Sequence, residues 1–189
     1  MPESIPINIR RITHVGPIDD EFVNSIMRII LDYPKEVNVI ELLISSHGGS
    51  IASGVTAYNY LKTLPYIVHT RNIGYVESAA ILPFLAGRIR SAEPMSKSTF
   101  HPASIPADGD LSYAKLEEKS RILDTDIAAY AAIVEKEAPA FAKEHDLLHL
   151  LRYETVILTK YEDFFRTGIL SAPPKSTAES ETNKAKITE

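Results

Sequence analysis

The chain contains no cysteine. That absence removes a disulfide framework, a thiolate nucleophile and any cysteine-ligated metal from consideration. It also lacks an excess of basic charge. The formal net charge is −5, and no Lys/Arg cluster offsets it locally, which argues against a nucleic-acid surface. No apolar run approaches membrane-spanning length, and the opening stretch MPESIPINIRR has no apolar core of the kind a signal peptide needs. The reading that remains is a soluble, intracellular (cytoplasmic) protein with no membrane and no nucleic-acid partner. With 189 residues, 44% hydrophobic and 24% charged, the simplest arrangement is one folded domain over residues 1–171. From Ala172 onward, PPKSTAESETNKAKITE is polar and almost free of large apolar residues, so 172–189 is expected to be a disordered tail.

What is present alternates between strand and helix. Ile7–Val15 is a short strand-like run closed by Gly16-Pro17. Asp19 and Asp20 suit the first turn of a helix, whose positive dipole end favours carboxylates. Phe22, Val23, Ile26, Ile29 and Ile30 then recur at helical spacing, and Pro34 stops the run. Val37–Ser45 is nearly continuous in apolar residues, which predicts a strand buried on both faces within a parallel sheet. After Ser46-His47-Gly48-Gly49-Ser50 comes an amphipathic helix through Val55, Tyr58, Leu61 and Leu64, ended by Pro65. Tyr66–Ile73 returns as a strand, making a βαβ unit whose crossover should be right-handed. Farther on, Leu111–Ala138 reads as one long helix, Pro139 breaks it, and Phe141–Tyr153 forms another. A short helix over Tyr161–Phe165 is ended by Gly168. The cluster Lys115, Glu117, Glu118, Lys119 is a solvated helix face.

Two stretches carry the chemistry. The first is Gly48-Gly49, where the backbone can approach a ligand and point N–H groups at it. The second runs from Ile73 to His101. It turns at Gly74 and places Ser78 at the start of an Ala/Leu-rich helical segment, where unpaired N–H groups gather and can stabilise an oxyanion. It ends on His101, followed at once by Pro102, and a histidine brought to the same place would serve as general base. Taken singly, Ser78 reads as a cap or packing residue, His101 as a strand end and Gly-Gly as a tight turn. Both glycine turns, however, fall at the carboxyl ends of neighbouring strands, where sites of open α/β sheets lie. A nucleophile, a base and an oxyanion hole then become geometrically plausible together.

These residues resemble the proteolytic subunit of Clp proteases, within the wider Clp/crotonase fold. Ile44-Ser45-Ser46-His47-Gly48-Gly49-Ser50 is similar to the family's strand-Asn-Ser-Pro-Gly-Gly-Ser turn. Gly74–Ala80 is similar to its nucleophile turn, and Pro94-Met95-Ser96 running into Phe100-His101-Pro102 to its histidine segment. The resemblance covers about residues 10–170. It implies an α/β fold of repeated ββα units, a mostly parallel sheet flanked by helices, with a helical C-terminal handle or cap. It further implies Ser78 as nucleophile, His101 as base and the N–H groups of Gly49 and Ala79 as the oxyanion hole. The family's triad acid falls on Thr155, with Glu154 adjacent. No cofactor and no metal is called for.

The departures are specific. His47 stands where the family has proline, and it reads as a turn residue or an alternative base. Val76 and Glu77 replace small residues before the serine, and Glu77 would place negative charge near a developing oxyanion unless it points away. The segment ASIPADGDLSYA after Pro102 lacks the glycine-rich strand that lines the family's substrate groove. Only Met1–Pro6 precedes the first strand, too little for the family's axial loops, so an unfoldase partner is not expected. The expected function is a serine-type endopeptidase acting on peptides or unfolded protein inside a homo-oligomeric ring, independent of ATP by itself. The alternative is a catalytically weak or inactive Clp-like subunit with a structural or assembly role. An acyl-CoA enzyme of crotonase type is a more distant third reading.

Overall fold

The computed structural model describes residues 7–34, 36–106, 109–110 and 112–171. The opening stretch Met1–Pro6, the start of the expected long helix at Leu111 and the polar tail therefore lie outside the described residues. Among the described residues six strands form one sheet: β1 (Ile9–Val15), β2 (Val39–Ser46), β3 (Ile67–Glu77), β4 (Ile89–Ala92), β5 (Lys97–Phe100) and β6 (Val156–Leu158). Their order is β1-β2-β3-β5-β6, with β4 pairing the earlier part of the β3 edge that β5 continues. All pairs are parallel except β5–β6. Helices α1 (Asp20–Leu31) and α2 (Ile51–Thr63) connect the first three strands. The expected mostly parallel α/β sheet with flanking helices is what forms.

Helix starts follow the local chemistry. The Asp19 carboxylate accepts from Phe22 N–H at 2.8 Å and the Ser50 hydroxyl from Ser53 N–H at 3.2 Å, each satisfying an otherwise orphaned donor. The apolar stripe of α1 buries Phe22, Val23, Ile26 and Ile30. On β2, Ile40, Leu42 and Ile44 are fully buried in the same core. Each contributes on the order of 1.5–3 kcal/mol relative to exposure.

Three expectations need correction. The apolar run Val37–Ser45 predicts burial of both faces, yet Val39, Leu43 and Ser45 are only half-buried. The face they share also leaves Ile9, Val15, Ile67, Tyr75, Ile89 and Ile157 exposed, because within this chain that side is not fully covered. The turn expected at Gly74 is absent: β3 runs through it to Glu77. Gly74 is instead a point of close approach, where a Cβ would stand 2.8 Å from Ser45 Oγ. Third, the helix expected over Phe141–Tyr153 is two helices, α5 (Pro139–Glu144) and α6 (Leu147–Tyr153). Asp146 interrupts it by capping α6, its side chain accepting from His149 N–H at 3.0 Å.

Between β3 and β4 lie a short 3₁₀ turn, Ser78–Ala80, and α3 (Ile81–Leu85). The long helix α4 (Tyr113–Glu137) begins at the Ser112 cap. Its second half packs into the core through Ile127, Tyr130, Ala131, Ile133 and Val134, whereas Tyr113, Leu116 and Ile122 in its first half are exposed. The helix therefore combines the two readings open to it, a projecting handle and a packed cap. The last helix, α7 (Tyr161–Arg166), ends before Gly168, whose φ of +73° closes it. Arg90 ties these pieces together from a buried position. Its guanidinium donates to the carbonyls of Leu85, Gly87, Glu137, Gly168 and Ile169. No helix among the described residues is long and apolar enough to cross a membrane.

Candidate active site

The turn that Gly74 does not make is made by Ser78. Among the described residues Ser78 is the one non-glycine residue with positive φ, at 52°. A left-handed serine at a strand end is strained and persists only where its surroundings over-determine it. Here they do. On one side the buried Tyr130 hydroxyl donates to the Ser78 carbonyl at 2.8 Å. On the other, Gly48 approaches so closely that a Cβ there would lie 2.6 Å from Ser78 Cβ, 2.9 Å from the Glu77 carbonyl and 3.2 Å from Ala79 N. Gly48 itself has a φ of +101°. Both its conformation and its clearance require glycine.

Gly49 is held by a bridge to Ile18. Ile18 N–H donates to the Gly48 carbonyl at 2.9 Å, and Ser50 N–H donates to the Ile18 carbonyl at 2.8 Å. That parallel pattern uses the amide groups flanking Gly49 and turns its own N–H to the opposite side. Gly49 is exposed, whereas Ala79 is fully buried. A cavity of about 630 Å³ adjoins this turn, lined by Val15, Pro17, Ser46, His47, Gly49 and Tyr75 among others.

His101 follows β5 by one residue and is half-buried. Its Nδ1 lies 2.9 Å from the Pro102 carbonyl. A carbonyl only accepts, so Nδ1 carries a proton, which in the neutral ring leaves the lone pair on Nε2. Among the described residues Ser78 Oγ and His101 are not hydrogen-bonded to each other; in unliganded sites such contacts are often long and tighten only around substrate. Thr155 makes no hydrogen bond to His101 either. The antiparallel register pairs Phe100 with Val156. The pairing ends there, one residue short of both His101 and Thr155. Glu154 points elsewhere and pairs with His149 at 3.2 Å.

The charge expected beside the nucleophile is occupied. Glu77 Oε2 accepts from His47 Nδ1 at 2.5 Å, and Oε1 accepts from Thr99 Oγ1 at 2.9 Å and Lys97 Nζ at 3.0 Å. Burial pushes its pKa up, but the hydrogen bonds from His47, Lys97 and Thr99 outweigh it and hold the carboxyl below its ordinary range. His47 stacks on Tyr75 with centroids 4.8 Å apart, and Lys97 Nζ sits 4.9 Å from the same ring. His47 is thus committed through Nδ1 to Glu77. In the sequence Glu77 and His47 stand out as departures, but nothing there shows that they pair. Tyr130 goes unmarked in the sequence, where its only signal is helical spacing.

The Clp protease family matches this chain over residues 5–136. Among solved structures, the chain is similar to a point mutant of ClpP1 from Listeria monocytogenes. The TM-score is 0.73 at 18% identity, over 89% of this chain and 93% of that one. At that identity the structural likeness speaks to the fold, and the family match reaches past the nucleophile turn, the histidine and most of α4. This chain belongs to the Clp protease family.

Proposed function

We propose that this chain is a serine-type endopeptidase of the Clp kind. Ser78 is the nucleophile, His101 the general base, and the N–H groups of Gly49 and Ala79 form the oxyanion hole. Thr155 stands in the place of the triad acid. The observation that carries the reading is the left-handed Ser78, a strained residue locked between Gly48 and Tyr130 at a strand's carboxyl end. Strain of this kind lifts a side chain out of the strand and aims the following amide, that of Ala79, toward the same space.

The chemistry follows from those positions. His101 Nε2 takes the Ser78 hydroxyl proton as Oγ attacks a peptide carbonyl. The carbonyl oxygen gains negative charge against Gly49 and Ala79 N–H. His101 then protonates the leaving amine, and water completes hydrolysis of the acyl-enzyme by the same route. Among the described residues no carboxylate bonds to His101, and the imidazolium is met by a neutral acceptor, the Pro102 carbonyl. Turnover is therefore expected to be slow. Substrates are short peptides or unfolded segments.

A homo-oligomeric ring acting in the cytoplasm is the expected assembly. The partly uncovered sheet face and the exposed first half of α4 support assembly, since a parallel sheet is ordinarily covered on both faces. Light scattering returning a single-chain mass at micromolar concentration would refute it.

That no carboxylate among the described residues bonds to His101, with Glu154 paired to His149, favours the second reading, a subunit with a structural role and weak or no activity. One experiment separates the two. Intact-mass analysis after fluorophosphonate treatment should show one adduct, lost in Ser78→Ala. Absence of any adduct on the wild-type chain would refute the peptidase reading, and an adduct surviving Ser78→Ala would move the nucleophile elsewhere.

A further inference from the structure

Glu77 sits where three strands meet. The β2–β3 register pairs Ser46 with Val76, which carries His47 to the side of Glu77. The β3–β5 register pairs Glu77 with Thr99 and Tyr75 with Lys97. The two carboxylate oxygens divide between those neighbours. One accepts from His47 of the glycine turn, the other from Thr99 and Lys97 of β5. The side chain is only 12% exposed, so these contacts are shielded from competing water.

Each partner leads directly into one part of the site. His47 precedes Gly48-Gly49. Thr99 precedes His101 by two residues, so in extended chain both side chains leave the same face. Glu77 is itself joined by a peptide bond to the strained Ser78. An ionised carboxylate accepting from several donors has far less freedom than an apolar contact. A surface ion pair would contribute little to such positioning, but this carboxylate is shielded and its contacts branch.

Resting on the serine-peptidase reading above, we propose that Glu77 is a positioning residue: its carboxylate holds the nucleophile turn, the oxyanion glycine turn and the histidine strand in their working geometry. It acts through His47, Thr99 and Lys97 and does not touch substrate. The charged and titratable groups that face it are His47 from the glycine turn and Lys97 from β5, with Tyr75 beneath both. The Nδ1–H of His47 donates to the carboxylate, so the geometry depends on Glu77 staying ionised.

The test uses the full chain with Glu77→Gln, which keeps the shape and removes the charge. Three measurements are made: the fluorophosphonate labelling rate of Ser78, kcat and KM for a short peptide as a function of pH, and amide hydrogen exchange at residues 47–50 and 97–101. We expect labelling and kcat to fall about 10- to 100-fold while KM changes little, as misplacement of reacting groups does. Exchange should rise in both segments together, although some fifty residues separate them in sequence. Wild-type labelling in a variant that is merely less stable would overturn the proposal, as would exchange that rises only around residue 77. If the wild-type chain takes no label, the peptidase reading fails, and the exchange result alone decides: a coupled rise supports positioning and a local one refutes it. Should Glu77→Gln not fold, His47→Ala and Thr99→Val each remove one contact and carry the same comparison.

Discussion

Adding one methyl group to Gly48 gives the sharpest test of how the site is built. A Cβ at that position would lie 2.6 Å from Ser78 Cβ, 2.9 Å from the Glu77 carbonyl and 3.2 Å from Ala79 N. Comfortable carbon–carbon contact is about 3.5–4.0 Å, so the serine turn or the glycine turn must give way by about 1 Å. Neither can yield by rotating a flexible side chain, because two of the three atoms are backbone and the third is a Cβ. The substitution also places alanine at a φ of +101°, which costs roughly 1–3 kcal/mol of stability. A displacement of about 1 Å at a reacting centre costs about 100-fold in rate. Gly48→Ala should therefore be folded, less stable, and about 100-fold slower in fluorophosphonate labelling of Ser78. Gly109→Ala is the control. Gly109 also has positive φ, at +68°, but a Cβ there meets nothing within 4 Å. It should lose stability without losing rate. Labelling of Gly48→Ala within threefold of wild type would show that the close approach of the two turns does not set the serine's reactivity.

Removing the buried guanidinium in Arg90→Met strands five carbonyls and should destabilise the fold by roughly 3–5 kcal/mol, read from urea denaturation; a change below about 1 kcal/mol would deny it that role. Glu41, Glu77 and Glu137 all have lowered pKa values. In each, burial raises the value, and the partners, Arg11, Arg71 and His69 for Glu41 and Tyr58, Lys62 and Arg90 for Glu137, more than offset it. Their stabilisation is fully present above the unfolded carboxylate value of about 4.3 and is lost as pH falls through the lowered folded values. The melting temperature should thus drop steeply in acid, and Glu41→Gln should make the drop shallower. For the third triad position, Thr155→Val should lower kcat several-fold while Glu154→Gln leaves it unchanged. The reverse pattern would make Glu154 the acid.

Much of the fold was legible because it rests on local, periodic signals. The stripe Phe22, Val23, Ile26, Ile30 and the acidic pair Asp19-Asp20 mark their helix within a few residues, and a run such as Val37–Ser45 leaves few alternatives to a strand, whereas the capping roles of Asp19 and Ser50 came from the structure. The order of the glycine turn, the serine and the histidine likewise lies along the chain, so the family pattern was readable. What the chain order does not contain is which face of a strand another element covers, and so the partly uncovered sheet face came only from the structure. Gly74 illustrates the same limit. A glycine is permissive toward a turn but does not require one: β3 continues past Gly74 with a shift in its register to β2, Ser45 lies close against the glycine, and Ser78 takes the turn. Glu77 and His47 lie thirty residues apart. Each looks like a defect in its own motif. Only the β2–β3 and β3–β5 registers bring them together with Thr99 and Lys97, because strand pairing is a long-range contact that local sequence does not encode.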